Sequence, residues 1–462
     1  MRRRAARGTL RAVFRRILIA NRGEIARRVI RACDALGIES VVVHSTADAD
    51  SPFVREATQA VCIGPARAAQ SYLDMEAILQ AAAQTESQAI HPGYGFLAEN
   101  ALFAQMVLQQ RLAWIGPPPR VIRLMGEKSP AKDAMRAAGL PLVPGSGGLL
   151  DSLDEALEQA DRIGYPVLLK ADAGGGGKGM RRADTPDELR EAWVSARGEA
   201  LASFGNDAVY LERYLTSGRH IEFQVLADSW GNAVHLFERE CSVQRRHQKL
   251  LEEAPSPALT HEQRMAMGKR VADASAAIGY VGAGTVEFLQ DPESGELYFI
   301  EMNTRLQVEH PVTEEITGID LVQAQIRIAA GEKLWFTQDD LSIDGHAIEL
   351  RINAEDPDDG FRPGPGTVTA LTPPTGERVR WDAAVEEGTK ISPYYDSMVA
   401  KLITWGPDRG AAIDRSLAAL DSLEVDGVPT TASLHRTILG ADAFRAGDLR
   451  VGVIPGRPDL SD

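Results

Sequence analysis

The sequence predicts an α/β region, then an α+β region, then a mixed-β C-terminal region, and three observations carry that reading. A strand, a helix and a second strand follow one another in ILIANRGEIARRVIRACDALGIESVVVHS, the unit from which parallel sheets are built. Beyond Lys128 the strand-like runs lengthen and are divided by Gly, Asp and Asn turns, as antiparallel pairs require. From about Gly345 short strand-like runs dominate and a helical pattern closes the chain.

In the first region Ile25, Val29, Ile30 and Cys33 recur at helical spacing, and Gly37 stands where a left-handed cap belongs. A helix over Met75 to Ala83, the strand QAIHP, a helix over Ala101 to Gln110 and the strand LAWIG continue the alternation until PPP interrupts it after Gly116. This N-terminal parallel-sheet region lacks a GxGxxG turn, which argues against a nicotinamide site. In the second region YPVLLKA, HIEFQVLAD, NAVHLFERE, GTVEFLQ and ELYFIEMN read as strands. The third opens with the strand HAIELRINAED and the hairpin-like TVTALTPPTGERVRW, and ends in the strand MVAKLIT and a helix over Ala411 to Leu423. No repeat or low-complexity tract parts the regions, so they are expected to pack as one body.

With 462 residues the chain exceeds one core and suits about three domains. Its 44% hydrophobic and 25% charged content is ordinary for a globular protein. A net charge of −15 disfavours nucleic acid as a partner, since phosphate contacts need a basic footprint. No apolar run reaches the ~20 residues of a membrane span. Cys33, Cys62 and Cys241 are scattered, which supports neither a disulfide framework nor a zinc site and fits a cytoplasmic protein. The first sixteen residues hold seven arginines and no acid. A disordered arm, a mis-called start and a targeting segment all stay open there, although the lack of serine speaks against targeting.

The chemistry is written in three places. In YPVLLKADAGGGGKGMRR a strand ending at Lys170 leads into Gly174 to Gly177 and Lys178. Glycines let backbone N–H groups wrap phosphate oxygens while lysines neutralise charge. The alternative, a flexible linker, would not normally sit between two lysines after a buried strand. The loop is not GxxxxGK[ST], so a nucleotide is expected without the P-loop fold. In FIEMNTRLQVEHPVTE, read as one strand, Glu301, Asn303, Arg305, Gln307 and Glu309 alternate onto one face. With Glu287 on a preceding strand, two carboxylates and an amide oxygen suit Mg²⁺, and a solvated outer face is the plainer alternative. The third place is ERECSVQRRHQK, where Arg245, Arg246, His247 and Lys249 crowd together, while His220, Glu222 and Gln224 share a strand face. Each cluster alone is weak; together they suit the walls of one cleft.

The combination ILIANRGEIA, AIHPGYGFLAEN, RLMGEKS, GGGGKGM, RHQK, FIEMNTRLQVEHPVTE, RINAED and PYYDSM resembles biotin carboxylase, the ATP-grasp component of biotin-dependent carboxylases such as acetyl-CoA carboxylase. The resemblance runs from about Ile17 to Val451 and leaves the Arg-rich start outside. One departure is Asp172-Ala173 before the glycines, where small residues are usual. Outside the resemblance stands an Arg-rich extension over 1–16, and the resemblance implies a Rossmann-like pre-ATP-grasp domain over 17–127. It further implies an ATP-grasp domain over 128–344 with a mobile lid near 142–214, a C-terminal domain over 345–455, and a tail over 456–462. It implies that Lys128 and Lys170 meet ATP phosphates and that Gly176 and Gly177 belong to the lid. Glu212, Arg213, Tyr214 and Leu215 would meet the adenine, with His220, Gln244, His247 and Leu289 completing the nucleotide site. Glu287, Glu301 and Asn303 match Mg²⁺ or Mn²⁺ ligands, and Lys249, Arg305, Gln307 and the Val308 backbone match a bicarbonate site. Glu309 matches the base that deprotonates bicarbonate, and Arg351 the residue facing the biotin ureido oxygen. Arg351 is expected to act on biotin alone.

By the same resemblance biotin is a substrate tethered to a separate carrier protein. No Met-Lys-Met motif occurs, and no transferase-sized segment follows Val451, so the expected partners are a biotin carrier protein and a carboxyltransferase. A homodimer is also implied. Two rivals remain in view. Another ATP-grasp ligase of carbamoyl or carboxylate-amine type would share the glycine loop but not EMNTRLQVEHPVTE with RINAED. A non-catalytic nucleotide-binding protein would be expected to lose a metal carboxylate or Glu309. The final acceptor, whether acetyl-CoA, propionyl-CoA, methylcrotonyl-CoA or pyruvate, is left open.

Overall fold

The structure, a computed structural model, describes residues 14–172, 179–215 and 218–461. The N-terminal alternation yields β1 (Arg16–Ile19), β2 (Glu39–Ser45), β3 (Gln59–Gly64), β4 (Ala89–His91) and β5 (Ala113–Trp114), all parallel in the order 3-2-1-4-5. The helix Gly23–Leu36 packs Ile25, Val29, Ile30 and Cys33 into the core and ends at Gly37 with φ 70°. β3 was not expected from the sequence: it is a sheet edge with no buried residue, and its apolar run Ala60 to Ile63 is short and shows no alternation.

A small antiparallel sheet of β6 (Val167–Ala171), β7 (Met180–Ala183) and β8 (Val209–Arg213) follows. The glycine loop that leaves β6, including Gly176 and Gly177, lies outside the described residues.

The body is an eight-stranded sheet. It contains β9 (Arg219–Ala227), β10 (Ala233–Arg245), β11 (Gln248–Ala254), β12 (Gly282–Gln290), β13 (Leu297–Asn303) and β14 (His346–Asn353). Their order is 13-12-9-10-11-14, completed by the strands Met398–Gly406 and Val379–Ala383. One sheet thus spans the second and third regions of the sequence. Ile348, Leu350 and Ile352 of β14 face a core closed by the helices Arg409–Ser422 and Ala432–Gly440, so the neighbouring side chains of that strand point the other way.

Two expectations need correction. TVTALTPPTGERVRW is not a hairpin: Ala370–Thr372 pairs with Glu424–Asp426, and Val379–Ala383 pairs with Met398–Gly406. Pro373 and Pro374 lack the N–H groups that a ladder needs, so the segment crosses between sheets. The acidic strand also stops early. β13 ends at Asn303, the Thr304 N–H turns aside to Glu99, and a helix begins at His310 with Pro311 in its first turn.

Candidate active site

Strand register builds a row of charge across one face. Arg239 on β10 pairs with Glu222 on β9, Glu222 with Glu287 on β12, and Glu287 with Glu301 on β13. Like charges on neighbouring strands repel, so this row requires cations. Lys249 supplies one from β11, just past a hairpin in which Arg246 and His247 both take positive φ. Its Nζ donates to Glu222 Oε2 at 2.6 Å, to Glu309 Oε1 at 2.6 Å and to Glu287 Oε1 at 3.1 Å. Burial opposes ionisation of all three acids, yet Lys249 outweighs it and holds each carboxyl below its usual range. The acids in turn keep Lys249 protonated, well above its usual value despite burial. Burial would likewise lower the imidazole of His220, but Glu287, 3.0 Å away, lifts it to about 9.

Arg239 is fully buried and spends all its donors. Nε bonds Glu222, Nη1 bonds Gln224 and Thr313, and Nη2 bonds Thr285 and Gln307 Oε1. Because Gln307 Oε1 accepts from Arg239, its Nε2 faces Glu287 at 2.7 Å. Arg305 is held by Glu99 at 2.8 Å and donates to Asn303 Oδ1 at 3.0 Å. Glu309 stands at the head of the helix His310–Thr317, where Arg351 Nη2 donates to Glu309 Oε2 at 3.0 Å and Arg351 Nε donates to Glu252 Oε1 at 2.6 Å. Loop and helix start, not strand alternation, therefore bring Arg305, Gln307 and Glu309 together. The Val308 carbonyl accepts from Lys401 at 2.7 Å.

A cleft of about 620 Å³ opens beside this cluster, lined by Glu99, Lys128, Asp172, Glu301 and Asn303 among others. Lys128 begins the helix Lys128–Ala137, and burial together with Lys170 lowers its pKa. Lys170 and Lys132 both bond Glu212, and against the opposing effect of burial they hold that carboxyl below its usual range. Asp172 accepts from Ser129, so this departure from small residues is part of the cleft wall.

A divalent cation fits the carboxylates here. Among the described residues no donor bonds the Glu301 carboxylate, and burial and the Glu287 charge both push its pKa up. Asn303 fits less well than expected: its amide N–H faces Glu287 at 2.8 Å, and its oxygen is taken by Arg305.

The remaining expected residues lie around the margin. Arg213 pairs with Asp291, Arg182 stacks over Tyr214 at 4.6 Å, and Leu215 is buried. Leu289 is the cross-strand partner of His220, whose Nδ1 lies 3.5 Å from Gln244 Nε2. His247 is exposed at the hairpin tip, and Gln224 faces Arg239 and buried backbone rather than the cleft; both depart from the wall the sequence suggested. Sequence reasoning missed Arg239, Glu252, Lys132, Lys401 and Glu99. Only the charges inside the apolar strands, as in LFERE and KLLEEA, could have signalled the first two.

The chain is similar to known proteins along nearly its whole length. Three family descriptions match in series: "Biotin carboxylase, N-terminal domain" over 13–122, "Carbamoyl-phosphate synthase L chain, ATP binding domain" over 127–337, and "Biotin carboxylase C-terminal domain" over 349–455. A biotin carboxylase of Nostoc sp. is 54% identical over 441 residues, 96% of this chain and 98% of that protein. A pyruvate carboxylase subunit of Methanothermobacter thermautotrophicus is 52% identical over 95% of this chain and 89% of its own length. Among solved structures, the biotin carboxylase domain dimer of Hydrogenobacter thermophilus 2-oxoglutarate carboxylase, in complex with MgADP, ADP and bicarbonate, has a TM-score of 0.90. It is 49% identical, over 97% of this chain and 99% of that one.

Proposed function

We propose a division of labour for a chain that belongs to the biotin carboxylase family and is an ATP-dependent ligase carboxylating biotin with bicarbonate. Lys128 and Lys170 hold ATP phosphates beside the cleft. Glu287 and Glu301, with Asn303 once its amide turns, would hold Mg²⁺ or Mn²⁺, which supplies charge neutralisation as the γ-phosphoryl group transfers. Lys249, Arg305, Gln307 and the Val308 backbone bind bicarbonate. Glu309, ionised because Lys249 outweighs its burial, accepts the bicarbonate proton as the bicarbonate oxygen attacks the γ-phosphorus and ADP leaves. The carboxyphosphate so formed breaks into CO₂ and phosphate, the phosphate takes the biotin N1′ proton, and N1′ attacks CO₂. Arg351 carries a permanent cation for the enolate-like ureido oxygen.

The observation that carries this reading is the convergence of Lys249 and Arg351 on one carboxylate, Glu309, in a cluster that Glu287 and Asn303 join to the Glu301 side of the cleft. By family resemblance the biotin arrives on a separate carrier protein and leaves for a carboxyltransferase, and the chain works as a homodimer; its scattered cysteines suit a cytoplasmic setting. Among the described residues no helix is long and apolar enough to cross a membrane. The test is ADP release with Mg²⁺, bicarbonate and free biotin omitted in turn. Bicarbonate dependence and biotin stimulation are expected. Equal rates without bicarbonate would overturn the reading, and turnover driven by glutamine or an amino acid would replace it with another ATP-grasp ligase.

A further inference from the structure

Behind Arg351 lies a pair of acids that the steps above do not use. Glu252 on β11 and Glu349 on β14 are directly opposed across the strands, on one face, and both are fully buried. Arg351 takes Glu252 Oε1, while Glu252 Oε2 and both Glu349 oxygens have no hydrogen-bond donor among the described residues. Two carboxylates cannot face each other this way without a cation or a proton between them.

Among the described residues no cation bonds Glu349. On the strand Met398–Gly406, Lys401 lies opposite Arg351, and its Nζ is committed to the Val308 carbonyl and to Glu24 at 3.4 Å. Arg351, on the same strand as Glu349, is committed to Glu252 and Glu309. Tyr94 of the first domain donates to Glu24. On the other side Ala254, Ala347 and Ile403, with Val312 and Ile316 from the helix His310–Thr317, form an apolar cluster. Glu349 therefore sits where the apolar core meets the charged site, and among the described residues Lys401 and Arg351 act on it only through space, with no bond to it.

We infer that Glu349 stands protonated and donates to Glu252 Oε2, holding the carboxylate that orients Arg351 against Glu309; Glu349 is a positioning residue for the carboxylation of biotin. This rests on the function proposed above. One proton supplies the donor that the orphaned oxygens lack, and a buried carboxylic acid in an apolar setting is stable in the neutral form. Burial pushes the Glu349 carboxyl well above its usual range, with Lys401 opposing and Glu252 adding to the push. Glu252, raised by burial and by Glu309 but lowered by Arg351, titrates at about 7. Below that pH Glu252 is neutral and loosens its hold on Arg351.

Two variants and a spectrum test this. The infrared carbonyl stretch of a protonated carboxylic acid should persist in the wild-type protein at alkaline pH, far above the ~4.3 of an ordinary glutamate, and be absent in Glu349→Gln. Glu349→Gln keeps a neutral donor, so it should retain the biotin-carboxylation rate and the acid limb of its pH profile. Glu349→Leu removes the donor without an apolar penalty. Its rate should fall about 10–100-fold, as for lost outer-shell partners, and its acid limb should move to higher pH, because ionised Glu252 has lost its bond. A missing carboxyl band, a Leu variant that matches the Gln variant, or a Gln variant whose limb moves to lower pH would each overturn the inference. Loss of bicarbonate dependence in the wild-type protein would instead remove the proposed function and leave the infrared result standing.

Discussion

Arg351 donates to Glu309 across 3.0 Å, so the cation assigned to biotin and the base assigned to bicarbonate form one ion pair. The sequence suggested that Arg351 serves biotin alone; the ion pair also puts it in contact with the residue proposed as the base. Arg351→Ala leaves Glu252 and half of Glu309 uncompensated in a buried site. Bicarbonate-dependent ADP release should therefore fall, and carboxylation of biotin should fall further, by about 10²–10³ for the lost oxyanion donor. Arg351→Lys should rescue poorly, since a point charge cannot bridge two acids as the planar fork does. Measuring both activities on the same preparations decides it, and an unchanged ADP release would show that Arg351 does not support the base.

Lys249 is the only cation that touches Glu222, Glu287 and Glu309 together among the described residues. Lys249→Met should cost about 3–5 kcal/mol of stability, the usual penalty for removing one partner of a buried ionic cluster. Adding Glu222→Gln should recover part of that loss, because the pair is in direct contact and their effects should not add. Urea midpoints of the two single variants and the double variant measure the coupling. Strict additivity would mean that Lys249 and Glu222 do not stabilise each other in the folded protein.

Glu301 differs from its neighbours in lacking any donor among the described residues while facing Glu287 across the strands. Glu301→Gln should leave the melting temperature equal or slightly higher, since it relieves repulsion, yet raise the Mg²⁺ concentration needed for half-maximal ADP release. Melting curves beside Mg²⁺ titrations separate the two effects. A stable variant with an unaltered titration would remove Glu301 from the metal site.

How much was legible depended on whether a residue's role is local. Helix periodicity and Gly37 located the first helix because spacing and cap chemistry are written within a few residues. The Glu287–Glu301 pairing was legible because a short turn links their strands. The end of β13 was missed because the polar alternation runs on past Asn303, and only the Glu99 contact, far away in sequence, shows where the ladder stops. Arg239 and Glu252 were invisible for the same reason: their partners lie on other strands, and a charge in an apolar strand does not announce its neighbour.

Asp382 ties the two ends of the chain together and should leave its mark at acid pH. It lies on the strand Val379–Ala383 and accepts from Arg380 and, across the domain boundary, from Arg31, each at 2.7 Å. Burial opposes its ionisation, but Arg380 and Arg31 outweigh it and hold the carboxyl well below its usual range. A carboxyl depressed in the folded state contributes stability that is fully present above its unfolded value, ~3.9, and is lost as pH falls through the folded value. Asp382→Asn should therefore lower stability by about 2–3 kcal/mol at neutral pH, the size of effect expected for a salt-bridged aspartate. The gap between wild type and variant should stay level down to about pH 5 and narrow below about pH 4. Denaturant midpoints across that range check the sign. A gap that stays constant to the lowest pH would mean that the loss comes from hydrogen bonds the amide cannot remake, and not from the Asp382 charge.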